Sequence, residues 1–142
     1  CLDVVCSGYF DSVGLYAQCT IAQRRQARAK MDYLHIADRA QTPFAQISEG
    51  EQRLVLIARA IAKEPRLLIF DEPCQGLDDA NRRQTLDAIS DIGNQFDTTI
   101  VYVTHDVNQM PSIITHVLML DQGRVTKQGK LDRAPDRVYS KP

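Results

Sequence analysis

The pattern of apolar and polar positions indicates secondary structure most clearly in the second half of the chain. LLIFD (67–71) and TTIVYVTHD (98–106) are apolar runs of strand length, typical of strands buried on both faces of a parallel sheet. NRRQTLDAISDIGNQF (81–96) has helical spacing between them, and a short helix is expected over 107–115. HVLMLDQGRVTKQG (116–129) is typical of two strands joined by an Asp-Gln-Gly turn. This order predicts a parallel α/β sheet.

The first part of the chain has a different pattern: residues 1–19 mix apolar and small residues, residues 20–36 are polar with spaced apolar positions, and no convincing strand occurs. A short helix and a turn-rich segment are expected over 1–19, followed by an amphipathic helix over 20–36. We therefore predict a helical subdomain over 1–64, followed by the core of the α/β sheet over 65–142.

The stretch SEGE (48–51) indicates the start of a further helix. Ser48 can accept a hydrogen bond from the third amide of the helix, and Glu51 stands at the position from which a carboxylate can reach back to Ser48. The helix is expected to end near residues 63–64, because Pro65 cannot continue it.

Composition excludes several classes of protein. Hydrophobic residues make up 44% and charged residues 25% of the chain, as in ordinary globular domains. The net charge of -1 gives no drive toward nucleic acid, and the basic stretch QRRQARAK (23–30) is most simply the solvated face of a helix. The four cysteines lack zinc-ligand spacing and suit a reducing cytoplasm. No apolar run reaches the roughly 18 residues needed to span a bilayer.

Polar side chains follow both apolar runs. Asp71 and Glu72 end the first, and Thr104 and His105 end the second, so they should meet at the carboxyl edge of the sheet. One carboxylate there can hold Mg²⁺ through water, the other can orient or deprotonate a water, and the histidine can donate to a phosphoryl oxygen. The alternatives are that Asp71 and Glu72 only begin a turn before Pro73, and that the histidine has no catalytic role.

The start of the SEGE helix is a second candidate for a contact with phosphate. Helix N-termini present free amides and the positive end of the helix dipole. Ser48 adds a hydroxyl group, and Gly50 allows a phosphate to approach closely. The alternative is an ordinary helix cap. What decides between them is the complete order of these segments along the chain.

This order resembles the C-terminal part of an ATP-binding cassette (ABC) ATPase. ISEGEQRLVLIARAIAKEP (47–65) resembles the signature motif and its helix, and LLIFDEP (67–73) resembles the Walker B strand. CQGLD (74–78) resembles the D-loop, and VTHD (103–106) the region of the switch histidine. The resemblance covers nearly all of the chain and implies part of a RecA-like P-loop NTPase sheet with an N-terminal helical subdomain.

The resemblance also implies roles for individual residues. Asp71 is expected to hold Mg²⁺ through water, Glu72 to polarise the attacking water, and His105 to contact the γ-phosphate of ATP. At the start of the SEGE helix, Ser48 and Gly50 are expected to contact the γ-phosphate of ATP held by a second cassette.

Two further positions complete this set. Glu51 belongs to the same phosphate-contacting segment, and Asp78 is expected to link the two sites across the dimer. The usual signature has Gly and Gln where this chain has Glu49 and Glu51. Two carboxylates near a γ-phosphate add repulsion, which the capping contact of Glu51 with Ser48 partly offsets.

The phosphate-binding loop of these ATPases is missing from the sequence, since no G-x-x-x-x-G-K-[ST] occurs in it. The aromatic residue that would stack on adenine is missing too. In this family both precede the helical subdomain. The chain is therefore expected to be a fragment of a longer protein, in which ATP and Mg²⁺ bind, and to be inactive alone.

A narrower resemblance concerns the first 60 residues. SGYFDSVGLY (7–16) and ADRAQTPFAQISEGEQRLVLIARA (37–60) resemble the ModF-like or PhrA-like cassettes, which are ATP-binding proteins of molybdenum transport and usually carry two cassettes in one polypeptide. This resemblance implies a molybdenum or molybdate substrate, although none of these residues itself binds molybdate.

Three functions follow as hypotheses. The first is an ATPase subunit that drives a membrane permease from the cytoplasmic face of the cell membrane, paired with a second cassette. The second is a soluble ABC ATPase of translation or DNA repair; the lack of a coiled coil argues against chromosome-maintenance types, and the near-neutral charge gives no support for nucleic-acid binding. The third is a partner-binding module that does not hydrolyse ATP alone.

Overall fold

The computed structural model describes residues 1–10 and 18–131. In this part every element before residue 67 is helical, as the sequence predicts: α1 (Leu2–Cys6), α2 (Ile21–Tyr33) and α3 (Glu49–Ala60). Short 3-10 turns stand between them at Ser7–Tyr9, Ala37–Arg39 and Phe44–Gln46. The segment expected to be rich in turns, 7–16, lies largely outside the described residues.

Helix boundaries follow from local chemistry. The side chain of Thr20 caps α2, which ends where His35 takes up a left-handed conformation (φ 58°). Ser48 caps α3, so the predicted start of that helix is confirmed. Its predicted end near residues 63–64 is wrong by three or four residues: α3 stops at Ala60, and a turn carries the chain to Pro65.

The sheet begins with a parallel pair, β1 (Leu67–Asp71) and β2 (Thr99–Val103), in a register that places Asp71 opposite Val103. Helix α4 (Asp79–Gln95) connects these two strands, so the predicted strand–helix–strand order is confirmed. Only a 3-10 turn, Val107–Gln109, forms in the segment expected to be a short helix.

The last two strands form a hairpin of their own. β3 (His116–Asp121) pairs antiparallel with β4 (Arg124–Lys130), with an irregularity at Met119/Leu120. The predicted pair of strands is confirmed, but within the described residues β3 pairs with β4 only and does not extend the parallel sheet.

The prediction that β1 and β2 are buried on both faces is wrong. Leu68 and Phe70 of β1 are 6% and 8% exposed, whereas Leu67 and Ile69 are 53% and 64% exposed. On β2, the side chains of Val101 and Val103 are exposed as well. The described helices pack on one face of the pair, and no described element covers the other.

One continuous core joins the helices to the sheet. It runs from Val5 of α1 and Met31 of α2 through Leu54 of α3 to Phe70 of β1 and Ile89 of α4. This core fixes the starts of α3 and α4 relative to β1 and thereby positions the candidate residues. In the described part of the chain, no helix has both the length and the apolar character that crossing a bilayer requires. The division at residue 64 stays a prediction.

Candidate functional site

The chain turns sharply where β1 ends. Glu72 has a left-handed backbone (φ 45°), which is rare for a residue other than glycine. Its amide donates to Val103 O of β2 at 3.0 Å, and its carbonyl accepts from the Gln75 amide at 3.1 Å. These bonds hold the turn in place. The structure thus places a strained residue where the sequence predicts a catalytic carboxylate.

The Glu72 side chain is held by the two residues that follow β2. Glu72 Oε1 accepts from the His105 amide at 2.9 Å and lies 2.7 Å from His105 Nδ1. Glu72 Oε2 accepts from the Thr104 hydroxyl at 3.3 Å. Hydrogen bonding by His105, above all, lowers the pKa of Glu72 below its ordinary value, so the carboxylate is ionised at neutral pH.

The contact with Glu72 constrains the His105 ring. If the ring is neutral and Nδ1 carries the proton, Nδ1 donates to Glu72 and Nε2 remains an acceptor. Donation through Nε2 as well requires the doubly protonated ring. The His105 side chain is 76% exposed, so a ligand at this edge can reach it.

Asp71 lies beside this group as the last residue of β1, and it is exposed. No described residue forms a hydrogen bond or ion pair with its carboxylate. An accessible, unpaired carboxylate fits Mg²⁺, which takes few protein ligands and keeps several waters. Residues 1–10 and 18–131 contain no group of three or more His, Cys, Asp or Glu side chains suited to a metal.

The loop after Glu72 is tied to β2 by a buried contact. The Tyr102 hydroxyl of β2 donates to Cys74 Sγ at 3.5 Å, and Cys74 is only 2% exposed. Burial, together with this bond, raises the pKa of Tyr102. The contact supports the loop between Glu72 and Asp78, and sequence reasoning did not identify it.

At the start of α3, Ser48, Glu51 and Arg39 form a network of hydrogen bonds that includes one ion pair. Ser48 Oγ accepts from the Glu51 amide at 3.3 Å, while Glu51 Oε2 accepts from the Ser48 amide at 2.8 Å and from its hydroxyl at 3.0 Å. Glu51 Oε1 accepts from Arg39 Nε at 2.7 Å. The Arg39 guanidinium, first, and the Ser48 amide lower the pKa of Glu51. Of the two carboxylates that were expected to repel phosphate, Glu51 is therefore paired with a cation.

Arg39 had no signal in the sequence, because its partner stands 12 positions away and the pair depends on the turn at Ala37–Arg39. A phosphate that binds the Ser48 hydroxyl has to displace its present hydrogen bond to Glu51. The network therefore sets how readily the start of α3 can bind an anion.

Asp78 caps the second helix of the site. Asp78 Oδ1 accepts from the Asn81 amide at 2.8 Å, and Oδ2 accepts from Asn81 Nδ2 at 3.0 Å. The first of these bonds is the main reason why the pKa of Asp78 is lowered. Asn81 in turn packs against Gly50 in the first turn of α3. The D-x-x-N spacing of a capped helix start was the signal available for Asn81.

The predicted residues thus fall into two groups. Glu72 and His105 are in contact at the edge of the parallel pair, with Asp71 beside them. The other four stand at the starts of α3 and α4, which Asn81 joins: Ser48, Gly50, Glu51 and Asp78. Between the two groups, the described residues show no direct hydrogen bond.

The parallel strand–helix–strand unit, in which Asp71 ends β1 and Glu72 follows it, has helices packed on one face and thus the α/β architecture that the sequence predicts. The sequence profile described as "ABC transporter" matches residues 9–75. Over nearly half of its length the chain is therefore similar to ABC transporter ATP-binding domains, and the predicted resemblance and fold class are confirmed.

Two curated relatives have names connected with transport. ABC transporter ATP-binding protein ModF of Escherichia coli is 41% identical over 117 residues, which cover 82% of this chain and 24% of that protein. Molybdate import ATP-binding protein MolC of Haemophilus influenzae is 34% identical over 121 residues, or 85% of this chain and 48% of that protein. Other matched relatives are named as importers of Fe(3+) ions and of sulfate or thiosulfate. The chain spans half or less of the length of these two relatives.

Solved structures have the same fold. A putative metal-chelate type ABC transporter in an inward-facing conformation matches with a TM-score of 0.81 and 33% identity, over 91% of this chain and 51% of that one. The dimeric structure of the bacterial ABC transporter cassette MJ0796 matches with a TM-score of 0.70 and 27% identity, over 91% and 55%.

Proposed function

We propose that the complete protein hydrolyses ATP and uses the reaction to drive transport across a membrane. The observation that carries this proposal is that Glu72 is fixed in place after β1. Its backbone is strained, and its carboxylate accepts hydrogen bonds from both Thr104 and His105 after β2. A site fixed this firmly at the edge of a parallel sheet suits a reaction that depends on positioning a water molecule.

Glu72 is the residue that orients and polarises this water. Its lowered pKa keeps the carboxylate ionised and able to accept a hydrogen bond from water at neutral pH. Oε1 is occupied by the amide and ring of His105, while Oε2 has only the longer Thr104 contact at 3.3 Å. We therefore assign the contact with water to Oε2.

His105 and Asp71 complete the edge of the sheet. In the doubly protonated state His105 donates to Glu72 through Nδ1 and to a phosphoryl oxygen through Nε2. The accessible carboxylate of Asp71 is the residue that would hold Mg²⁺ through water. Bound there, Mg²⁺ supplies neutralising charge to the phosphates of ATP. No phosphate-binding loop of the G-x-x-x-x-G-K-[ST] type occurs in these 142 residues.

The second group of residues serves a second cassette. Ser48, Gly50 and Glu51 form the segment that contacts the γ-phosphate of ATP held by the partner, and Asp78 links the two sites. The cation at Arg39 supports this role because it compensates the Glu51 charge. The dimeric state of the similar MJ0796 cassette supports such a pairing.

The transported substrate that we propose is molybdate or a related oxyanion, and the membrane partner is a permease contacted from the cytoplasmic face. The names of ModF and MolC support this choice. We further propose that residues 1–64 form the subdomain that meets the permease. Import of Fe(3+) or sulfate is the second candidate, since relatives of similar identity have those names.

The test uses the complete protein, purified in solution and also in membranes together with its permease. We expect binding of Mg-ATP at micromolar concentrations, release of phosphate, and ATP-dependent uptake of molybdate in preference to sulfate and Fe(III). Phosphate release without uptake of any of the three would favour the soluble ATPase. No phosphate release at saturating ATP would overturn the proposed function.

A further inference from the structure

The glycine at position 50 is required by space rather than by backbone conformation. Gly50 is buried in the first turn of α3 and is not among the glycines with positive φ. A Cβ atom there would overlap the Oδ1 and Cγ atoms of Asn81 and would lie 3.0 Å from the Asn81 Cβ. Real side chains do not approach each other so closely, so any larger residue must displace Asn81.

Asn81 cannot move away freely, because Asp78 holds it at two points. The Asn81 amide donates to one Asp78 oxygen at 2.8 Å, and its side-chain Nδ2 donates to the other at 3.0 Å. These bonds fix the orientation of the Asn81 side chain, with Oδ1 toward Gly50. Gly50, Asn81 and Asp78 thus form one continuous contact between the first turn of α3 and the cap of α4.

We propose that Asn81 is a positioning residue that fixes the first turn of α3 relative to Asp78. The start of α3 and Asp78, which we propose to act toward the second cassette, then move as a single unit. Asn81 sets the spacing between them. This inference rests on the proposed function, because it concerns the residues that act across the cassette pair. It gives Gly50 a second role, separate from allowing a phosphate to approach.

The two roles of Gly50 predict different behaviour in a double variant. If Gly50 serves only the approach of phosphate, Gly50→Ala is equally harmful whatever stands at position 81. If Gly50 makes room for Asn81, then Asn81→Gly removes all three overlapping atoms and should rescue Gly50→Ala.

The experiment measures steady-state ATP turnover of the complete protein carrying Gly50→Ala, Asn81→Gly or both. Because a small displacement near the reacting groups is costly, we expect Gly50→Ala to lower kcat about tenfold to a hundredfold. The double variant should return to the level of Asn81→Gly. Asn81→Gly alone should lower kcat several-fold without changing the affinity of the cassette for ATP.

Two controls separate positioning from folding. Ala80→Gly puts the same flexible residue into the same turn of α4, whereas the three atoms nearest to a Cβ at position 50 all belong to Asn81, so this variant should leave kcat unchanged. Gly93→Ala places a Cβ against the Ile113 side chain instead, so Asn81→Gly should not rescue it. Unfolding midpoints of all variants show whether a loss of activity is a loss of fold.

The outcomes distinguish the inference from the function on which it rests. If the wild type hydrolyses ATP but the kcat of the double variant stays as low as that of Gly50→Ala, the role of Asn81 is overturned and the proposed function stands. A wild type without ATP turnover overturns both.

Discussion

Glu72 combines backbone strain with a dense set of hydrogen bonds. A left-handed backbone costs a non-glycine residue about 1–2 kcal/mol, and the bonds to Val103, Thr104 and His105 offset it. Strain that is over-determined by its surroundings fits a functional role. The sequence predicted the meeting of Glu72 and His105 from the two strand ends. It could not predict the left-handed turn, since that depends on the pairing with β2.

The first residue-scale prediction concerns the pKa of Glu72. His105 is the main cause of its lowering, so His105→Ala should raise the pKa of Glu72 toward the ordinary value of 4.5. Carboxyl NMR titration measures it directly. His116→Ala is the control, since that exposed histidine contacts the Thr115 hydroxyl and not Glu72. An unchanged pKa in His105→Ala would remove His105 from its role toward this carboxylate.

The sign of the linked effect on stability follows. Because the pKa of Glu72 is lowered in the folded protein, its contribution is present above pH 4.5 and is lost as pH falls through the lowered value. In His105→Ala that contribution should be largely absent at all pH values. Acid unfolding curves of the two proteins should therefore converge at low pH.

Helix caps are the elements that the sequence predicted best, because a capping box is local and its residues stand three apart. The box of Ser48 and Glu51 is confirmed, and α2 has an equivalent box of Thr20 and Gln23.

The predicted burial of the strands on both faces was wrong for a physical reason. A continuous apolar run shows that both faces of a strand are apolar, but it does not show whether an element of this chain covers each face.

The two capping boxes give an element-scale prediction with its own control. Ser48→Ala and Thr20→Ala should each lower the free energy of unfolding by about 1 kcal/mol, since each removes one cap. Only Ser48→Ala should also lower ATP turnover by the paired cassettes, while the ATP affinity of a single cassette stays nearly intact. Equal turnover in the two variants would show that Ser48 acts as a cap alone.

At the scale of the whole molecule, the uncovered face of the parallel pair is the most unusual feature. Leu67 and Ile69 of β1 and Val101 and Val103 of β2 together form an exposed apolar surface. Surfaces of this kind mark places where other protein packs, and left open they promote association. The sequence predicts an exposed edge or apolar face, because the strand of the phosphate-binding loop is missing from it. The apolar runs alone do not show which face is exposed, since they read the same whether or not they are covered.

The prediction at this scale is self-association of the 142-residue chain. Light scattering should show oligomers whose fraction rises with protein concentration, and Ile69→Lys should shift the population toward monomer. Ile21→Lys is the matched control, since Ile21 is 83% exposed on α2, away from this face. A monomeric wild type at high concentration, or an equal effect of both substitutions, would contradict the role of this face.

The central claim is that Glu72 orients the water that attacks ATP, and phosphate release by the complete protein tests it most directly. Glu72→Gln should keep ATP binding and lose roughly 10²–10⁴ in turnover, as expected when a general base is removed. Glu64→Gln is a close control, because Glu64 also has a left-handed backbone (φ 49°) but pairs with Lys30 at 2.6 Å instead. Turnover near the wild-type rate in Glu72→Gln, or an equal loss in Glu64→Gln, would contradict the account.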